Sequence, residues 1–225
     1  MSRNTLAVYL VVLRGFYHEI KRYMAGSDSP FSSVCLNLRS GAKPRQPFTE
    51  DETVLLLSLP NRETTVGRRD YAILSLLFGA GLRPQEVLNL HPGDLVTGYG
   101  VHVIKLHNTK TVKYQEHSIA PWVAQALQEH LVGHFGYRVF ELSSVGLWKM
   151  FKRYLKQGQI RDYSPGCGRT TAINHLLEDD VNHNVVRRFS RHSSVKMVEV
   201  YDRRRVDVSK NPGLFLVYGG KNGQR

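Results

Sequence analysis

Arg83 and Glu86 stand three residues apart in Gly81-Leu82-Arg83-Pro84-Gln85-Glu86, a spacing that puts a guanidinium fork and a carboxylate on one face of a helix. Arginine stays charged and presents a planar donor set suited to a phosphate, and a carboxylate one turn along holds that fork in place. Taken alone, the pair reads as an ordinary surface ion pair. The chain as a whole carries 31 Lys+Arg against 19 Asp+Glu, a formal net charge of +12 over 225 residues. Such an excess attracts a polyanion over long range, and nucleic acid is the commonest one because each neutralised phosphate releases a counterion. An anionic membrane surface is the competing partner. It requires a basic amphipathic helix or a lipidation signal, and neither is evident, so no membrane partner is expected.

Other candidate clusters carry less. His130 and His134 are spaced like a metal-binding pair, but Leu131, Val132 and Gly133 between them lack the glutamate of a zinc protease. No third ligand is evident, so they are expected to be surface histidines. The two cysteines, Cys35 and Cys167, make neither a disulfide framework nor a Cys-rich zinc site, and a reducing cytoplasm is the expected compartment. The apolar run at residues 6–13 is too short to span a bilayer, and no small-residue cleavage site follows it, so no signal peptide is read.

The segment Gly67-Arg68-Arg69-Asp70-Tyr71-Ala72-Ile73-Leu74-Ser75-Leu76-Leu77-Phe78-Gly79-Ala80-Gly81-Leu82-Arg83-Pro84-Gln85-Glu86-Val87-Leu88 resembles the first signature of the tyrosine recombinases, the phage integrase family. That resemblance makes Arg83 the first active-site arginine and Glu86 its orienting carboxylate. Near the other end, Arg191-His192-Ser193-Ser194 is similar to the family's Gly-His-Ser-Ser segment, with His192 nine residues before Tyr201. The resemblance implies that Tyr201 attacks a DNA phosphodiester and forms a 3′-phosphotyrosyl link, while His192 hydrogen-bonds the same phosphate. Tyrosine, with a pKa of about 10, is a weak nucleophile and needs cationic neighbours around the phosphate. The same cations stabilise the five-coordinate transition state. Among eleven tyrosines, Tyr201 without this spacing reads as a core tyrosine on an amphipathic helix.

The middle signature is partial. Asn174-His175-Leu176-Leu177 aligns with the helix that follows the family's His-x-x-Arg, which places the second active-site arginine at Arg169 and leaves His175 structural. The family's histidine falls on Gly166, within Ser164-Pro165-Gly166-Cys167-Gly168. Glycine neither accepts a proton nor fills the space. Either a water, another side chain or a shifted loop takes over, or the enzyme is slow or inactive. The family's hairpin lysine aligns best with Lys110, whose task would be to protonate the leaving 5′-oxygen, and Lys113 is the alternate. A solvated hairpin lysine touching the DNA backbone is nearly as good a reading of either. Arg68, Lys113, Arg203 and Arg204 are the expected DNA-binding cations, although the run Arg203-Arg204-Arg205 also reads as a solvated helix end. The resemblance implies no metal and no cofactor, since Arg83, Lys110, Arg169 and His192 supply the positive charge.

The elements that must position these groups follow from periodicity. A helix is predicted over residues 5–23, then a Gly/Ser/Pro-rich linker over 25–47. Thr49 and Glu52 form a capping box for the next helix. A second helix begins near Gly67 and is apolar on most faces, which predicts burial. It ends at Gly79 and Gly81, and Pro84 suits the first turn of the next. Strands are predicted at 101–106 and 116–119, preceded by a turn at 98–100. Helices are predicted at 122–130, 144–158, 169–179, 184–189 and 195–201.

The expected fold is mainly α with a small antiparallel β-sheet, like a tyrosine recombinase catalytic domain. Residues 1–24 are read as the end or remnant of an N-terminal helical core-binding region, in a fragment or in a naturally short recombinase. Residues 48–207 are the expected catalytic domain. Residues 208–225 form a tail whose apolar stretch 214–218 docks either on a neighbouring protomer or on its own domain. The expected function is site-specific recombination of double-stranded DNA by a homo-oligomer, a tetramer on paired sites. Two rivals stand beside it: a catalytically weak or inactive DNA-binding protein on the same fold, motivated by Gly166 and the short N-terminal region, and a type IB topoisomerase-like enzyme, a monomer with similar chemistry. A nucleic-acid-binding module with chance motif matches is a third, disfavoured by three signatures in order.

Overall fold

The computed structural model describes residues 3–23, 29–31, 33–34, 46–98, 100–107 and 114–202. The chain forms two compact units, residues 1–43 and 44–225. In the first, helix α1 (Arg3–Ile20) leaves Val8, Val11, Val12 and Phe16 exposed. It stops three residues short of the predicted end, where residues 21–23 form a turn. Its Arg14 guanidinium donates to the carbonyls of Phe31, at 2.9 Å, and Val34, at 2.6 Å.

The second unit begins its helices at α2 (Glu50–Ser58). The predicted capping box is present: Glu52 N donates to Thr49 Oγ1 at 3.1 Å, and Thr49 N donates to Glu52 Oε2 at 2.9 Å. Helix α3 (Thr65–Phe78) starts two residues before Gly67 because Thr64 caps it, its hydroxyl accepting from Gly67 N at 3.0 Å. Glycine is required at position 67, where a Cβ would lie 1.8 Å from the Asn61 carbonyl oxygen. The helix buries Ile73, Leu74, Leu76 and Leu77 completely, each worth ~1.5–3 kcal/mol relative to exposure. Its one fully buried carboxylate, Asp70, accepts from Arg69 at 2.8 Å, Arg153 at 2.8 Å and the Tyr154 hydroxyl at 3.1 Å. A buried charge stands only when paired in this way, and the pairing ties α3 to α6 (Ser144–Gln157).

A short helix α4 (Pro84–Leu88) follows, with Pro84 in its first turn. Next comes a three-stranded antiparallel sheet in the order β1 (Leu95–Gly98), β2 (Val101–His107), β3 (Tyr114–Ile119). Strand β1 was not anticipated. It is only four residues long with mostly exposed side chains, so it lacks the alternation that marks a half-buried strand. Pairing with β2 across a turn that holds Gly100 at φ +73° defines it.

Helix α5 (Pro121–Leu131) and α6 complete the main core. There Phe48 stacks on Tyr163 at 3.9 Å and meets Phe78 edge-on at 5.0 Å. Helices α7 (Cys167–Glu178), α8 (His183–Ser190) and α9 (Lys196–Glu199) share a smaller core of Ile173, Leu177, Val186 and Val198. Helix α9 spans four residues, not the predicted seven. Val198 is its only fully buried side chain, so packing sustains a single turn.

Candidate active site

The turn between α3 and α4 is the floor of the site. Gly81 adopts φ +59°, and a Cβ there would come within 3.0 Å of the Phe189 ring, so both conformation and space call for glycine. The turn's carbonyls are receptors for two other segments. Ala80 O accepts from His117 Nε2 at 2.8 Å, and Gly81 O accepts from Arg169 Nη1 at 2.9 Å.

Arg83 is the residue just before α4. Glu86 binds it twice: the Arg83 backbone N–H donates to Oε2 at 2.8 Å, and Nη1 donates to Oε1 at 2.7 Å. Burial works to raise the Glu86 pKa, but the Arg191 charge and the Arg83 hydrogen bonds outweigh it and hold the carboxyl below its ordinary range. Arg83, Glu86 and Arg191 line one side of a cavity of about 380 Å³ that Lys105, Asn89 and Gln115 also border.

Arg169 lies in the first turn of α7, 7% exposed. Its Nη1 is bound to Gly81, while its Nη2 is buried and has no acceptor among the described residues. Burial, then the charges of Arg83 and Arg191, lower its pKa to about 10. A buried donor without a partner is costly, so this nitrogen calls for a further acceptor.

His192 is equally buried. Ser190 Oγ lies 2.9 Å from its Nδ1, and the Tyr201 ring stacks on the imidazole at 5.7 Å with 20° between planes. Burial and the charges of Arg169, Arg83 and Arg191 lower the His192 pKa to about 4. The imidazole is therefore neutral near pH 7, with one ring nitrogen a donor and the other an acceptor. Tyr201 is half-buried and is held by the small core beneath α9.

The structure thus brings Arg83, Glu86, Arg169, His192 and Tyr201 together. Gly166 is the residue before α7. Arg68 lies elsewhere, at the start of α3, where it donates to the carbonyls of Arg62 and Glu63 at 3.3 and 3.2 Å. His130 and His134 bond the loop carbonyls of Val139, at 2.9 Å, and Arg138, at 2.7 Å. Lys110, Lys113, Arg203, Arg204 and the tail lie outside the described residues. Sequence reasoning passed over two members of the cluster. His117 is one of the inward positions of β3, legible only from strand alternation. Arg191 was read merely as the start of a motif, yet its side chain is 7% exposed.

The geometry gathers two arginines, a buried histidine and a tyrosine around the α3–α4 turn of a helical domain with a small sheet. Comparison with known proteins agrees, for the phage integrase family matches residues 46–207. The chain belongs to that family. It is 25% identical over 214 residues to the tyrosine recombinase XerD of Listeria monocytogenes serotype 4b, covering 89% of this chain and 71% of that protein. It is 26% identical over 219 residues to the tyrosine recombinase XerC of Pelotomaculum thermopropionicum, with the same shares of 89% and 71%. Tyrosine recombinases break and rejoin DNA. Among solved structures, the XerH recombinase bound to palindromic difH substrate superposes with a TM-score of 0.75 at 18% identity, over 89% of this chain and 64% of that one. The Tn1549 transposon integrase with circular intermediate DNA superposes with a TM-score of 0.70 at 21% identity, over 95% and 79%. The chain therefore spans a little under two thirds of the XerH chain. No helix among the described residues is long and apolar enough to cross a membrane.

Proposed function

We propose that this chain carries out site-specific recombination of double-stranded DNA, with Tyr201 as the nucleophile. The observation that carries this reading is the buried Arg169 Nη2, without an acceptor among the described residues, next to the His192–Tyr201 stack and Arg83. Arg83, Arg169 and His192 hold the non-bridging oxygens of the scissile phosphate. The Tyr201 hydroxyl gives its proton to solvent water, its oxygen bonds to phosphorus and the bond to the 5′-oxygen breaks, with Lys110 supplying the proton that makes the leaving group a 5′-hydroxyl. Attack by the 5′-hydroxyl of a second strand reverses these steps, releases Tyr201 and leaves a rejoined backbone. Bond energy is conserved in the phosphotyrosine, so no ATP is consumed. Strand exchange requires several protomers on paired sites, and the assembly proposed is a tetramer. The DNA-bound XerH and Tn1549 integrase structures support duplex DNA as the partner.

The test is a nicked suicide DNA substrate, with randomised sites where the cognate one is unknown. A protein–DNA adduct that survives denaturing electrophoresis is expected from the wild type and not from Tyr201→Phe. Tight DNA binding without any adduct, over a range of pH, would sink the catalytic reading and leave the non-catalytic DNA-binding protein that Gly166 suggests.

A further inference from the structure

Arg191 sits one residue beyond α8 at φ +53° and ψ +38°, in the left-handed region. Glycine takes this conformation freely and other residues do so under strain. Glycine is also the residue that the matching Gly-His-Ser-Ser segment has at this position. Here the chain keeps an arginine despite the backbone cost and buries its side chain to 7% exposure. Burying a guanidinium is unfavourable unless its N–H groups are well placed.

They are. Nη2 donates to Glu86 Oε2 at 2.6 Å, and Nη1 lies 3.1 Å from His117 Nδ1 and 3.3 Å from the Phe189 carbonyl oxygen. The neighbours settle the histidine tautomer. His117 Nε2 faces the Ala80 carbonyl, which only accepts, so the proton is on Nε2 and the Nδ1 lone pair is turned to Arg191. The result is one continuous chain of contacts. It runs from the Ala80 carbonyl through His117, Arg191 and Glu86 to Arg83, and joins β3, the end of α8 and the start of α4. Arg191 lines the same cavity wall as Arg83.

We propose that Arg191 is a positioning residue for strand cleavage: held between Glu86 and His117, it fixes the carboxylate that aims Arg83 and adds a third cation, itself buried, to the phosphate site. This rests on the recombinase reading above. The charged and titratable groups around Glu86 are Arg83, Arg191, His117 and Arg169, with Asp94, Lys105 and His107 on the same cavity, and Arg191 is the largest single cation effect on it, so removing Arg191 leaves Glu86 less firmly ionised.

The experiment compares wild type, Arg191→Gly, Arg191→Lys, Glu86→Gln and the Arg191→Gly/Glu86→Gln double variant. Single-turnover adduct formation on the nicked substrate is followed across pH, with DNA affinity and thermal unfolding measured alongside. Arg191→Gly suits the local backbone and is expected to fold. It should slow cleavage at saturating DNA by roughly 10- to 100-fold with affinity little changed. Its acid limb should move to higher pH, because Glu86 then protonates more easily. Arg191→Lys should bring the limb back while restoring only part of the rate, since an ammonium lacks the fork. The double variant should be no slower than the slower single variant, the mark of residues acting as a unit.

A wild-type rate and an unmoved pH profile in Arg191→Gly would overturn the proposal, as would a loss confined to DNA affinity. Should the glycine variant not fold, an undiminished rate in Arg191→Lys would overturn the role of the fork. A wild type that forms no adduct refutes the recombinase reading and this inference with it. An active wild type with unaffected variants refutes this inference alone.

Discussion

At the scale of single residues, two buried imidazoles tie stability to pH. His117 and His192 both have pKa values lowered to about 4 from an ordinary 6.5, mainly by burial and then by the surrounding arginines. In the unfolded chain they take up protons as pH falls through 6.5, whereas in the folded protein they resist until about 4. The unfolded state therefore binds more protons in that window, and folding stability is complete above it and falls as the solution is acidified. Urea unfolding between pH 7 and pH 4 should show a declining midpoint, with a shallower decline in His117→Gln. An unchanged slope in that variant would show that His117 contributes nothing. Arg83, Glu86, Arg169, His192 and Tyr201 were legible in the sequence because their spacing repeats a recognisable pattern. Arg191 and His117 were not, because their significance lies in a contact between residues 74 positions apart, which no local pattern encodes.

At the scale of elements, the α3–α4 turn matters more than its length suggests. It presents the carbonyls of Ala80 and Gly81 to β3 and α7 and passes beneath Phe189. Gly81→Ala meets two obstacles, a left-handed φ and a ring 3.0 Å from the new Cβ. It should destabilise the protein by ~1–3 kcal/mol, as backbone strain of this kind does. Chemical denaturation measures that loss, and cleavage should weaken more than stability alone explains, because Arg83 and Arg169 both depend on this turn. The capping box at Thr49 and the buried apolar run of α3 were visible beforehand because both are local devices. Strand β1 and the short α9 were misjudged because each owes its extent to a tertiary partner, β2 in one case and the Val198 pocket in the other.

At the scale of the whole molecule, a net charge of +12 makes the ionic atmosphere of DNA a large part of the affinity. Binding should fall linearly with the logarithm of salt concentration, by about 0.9 per phosphate contacted. Replacing Arg203 and Arg204 together with alanine should lower the magnitude of that slope by about two if each grips one phosphate. Fluorescence anisotropy over a salt series reads the slope directly, and an unaltered value would make these arginines a solvated helix end.

The two cores of the second unit carry a mechanical consequence. The larger one is filled from α2 through α6 and by Cys167 at the start of α7, whereas Ile173, Leu177, Val186 and Val198 form a second cluster on which Tyr201 rides. Small clusters open at lower free-energy cost than the body of a domain. Tension applied to the tyrosine, as by a strand tethered to it under the proposed chemistry, should therefore loosen that cluster and α7 first, and Arg83 and Glu86 at the α3–α4 turn last. The protein is built like a stiff jaw with a compliant tooth mount.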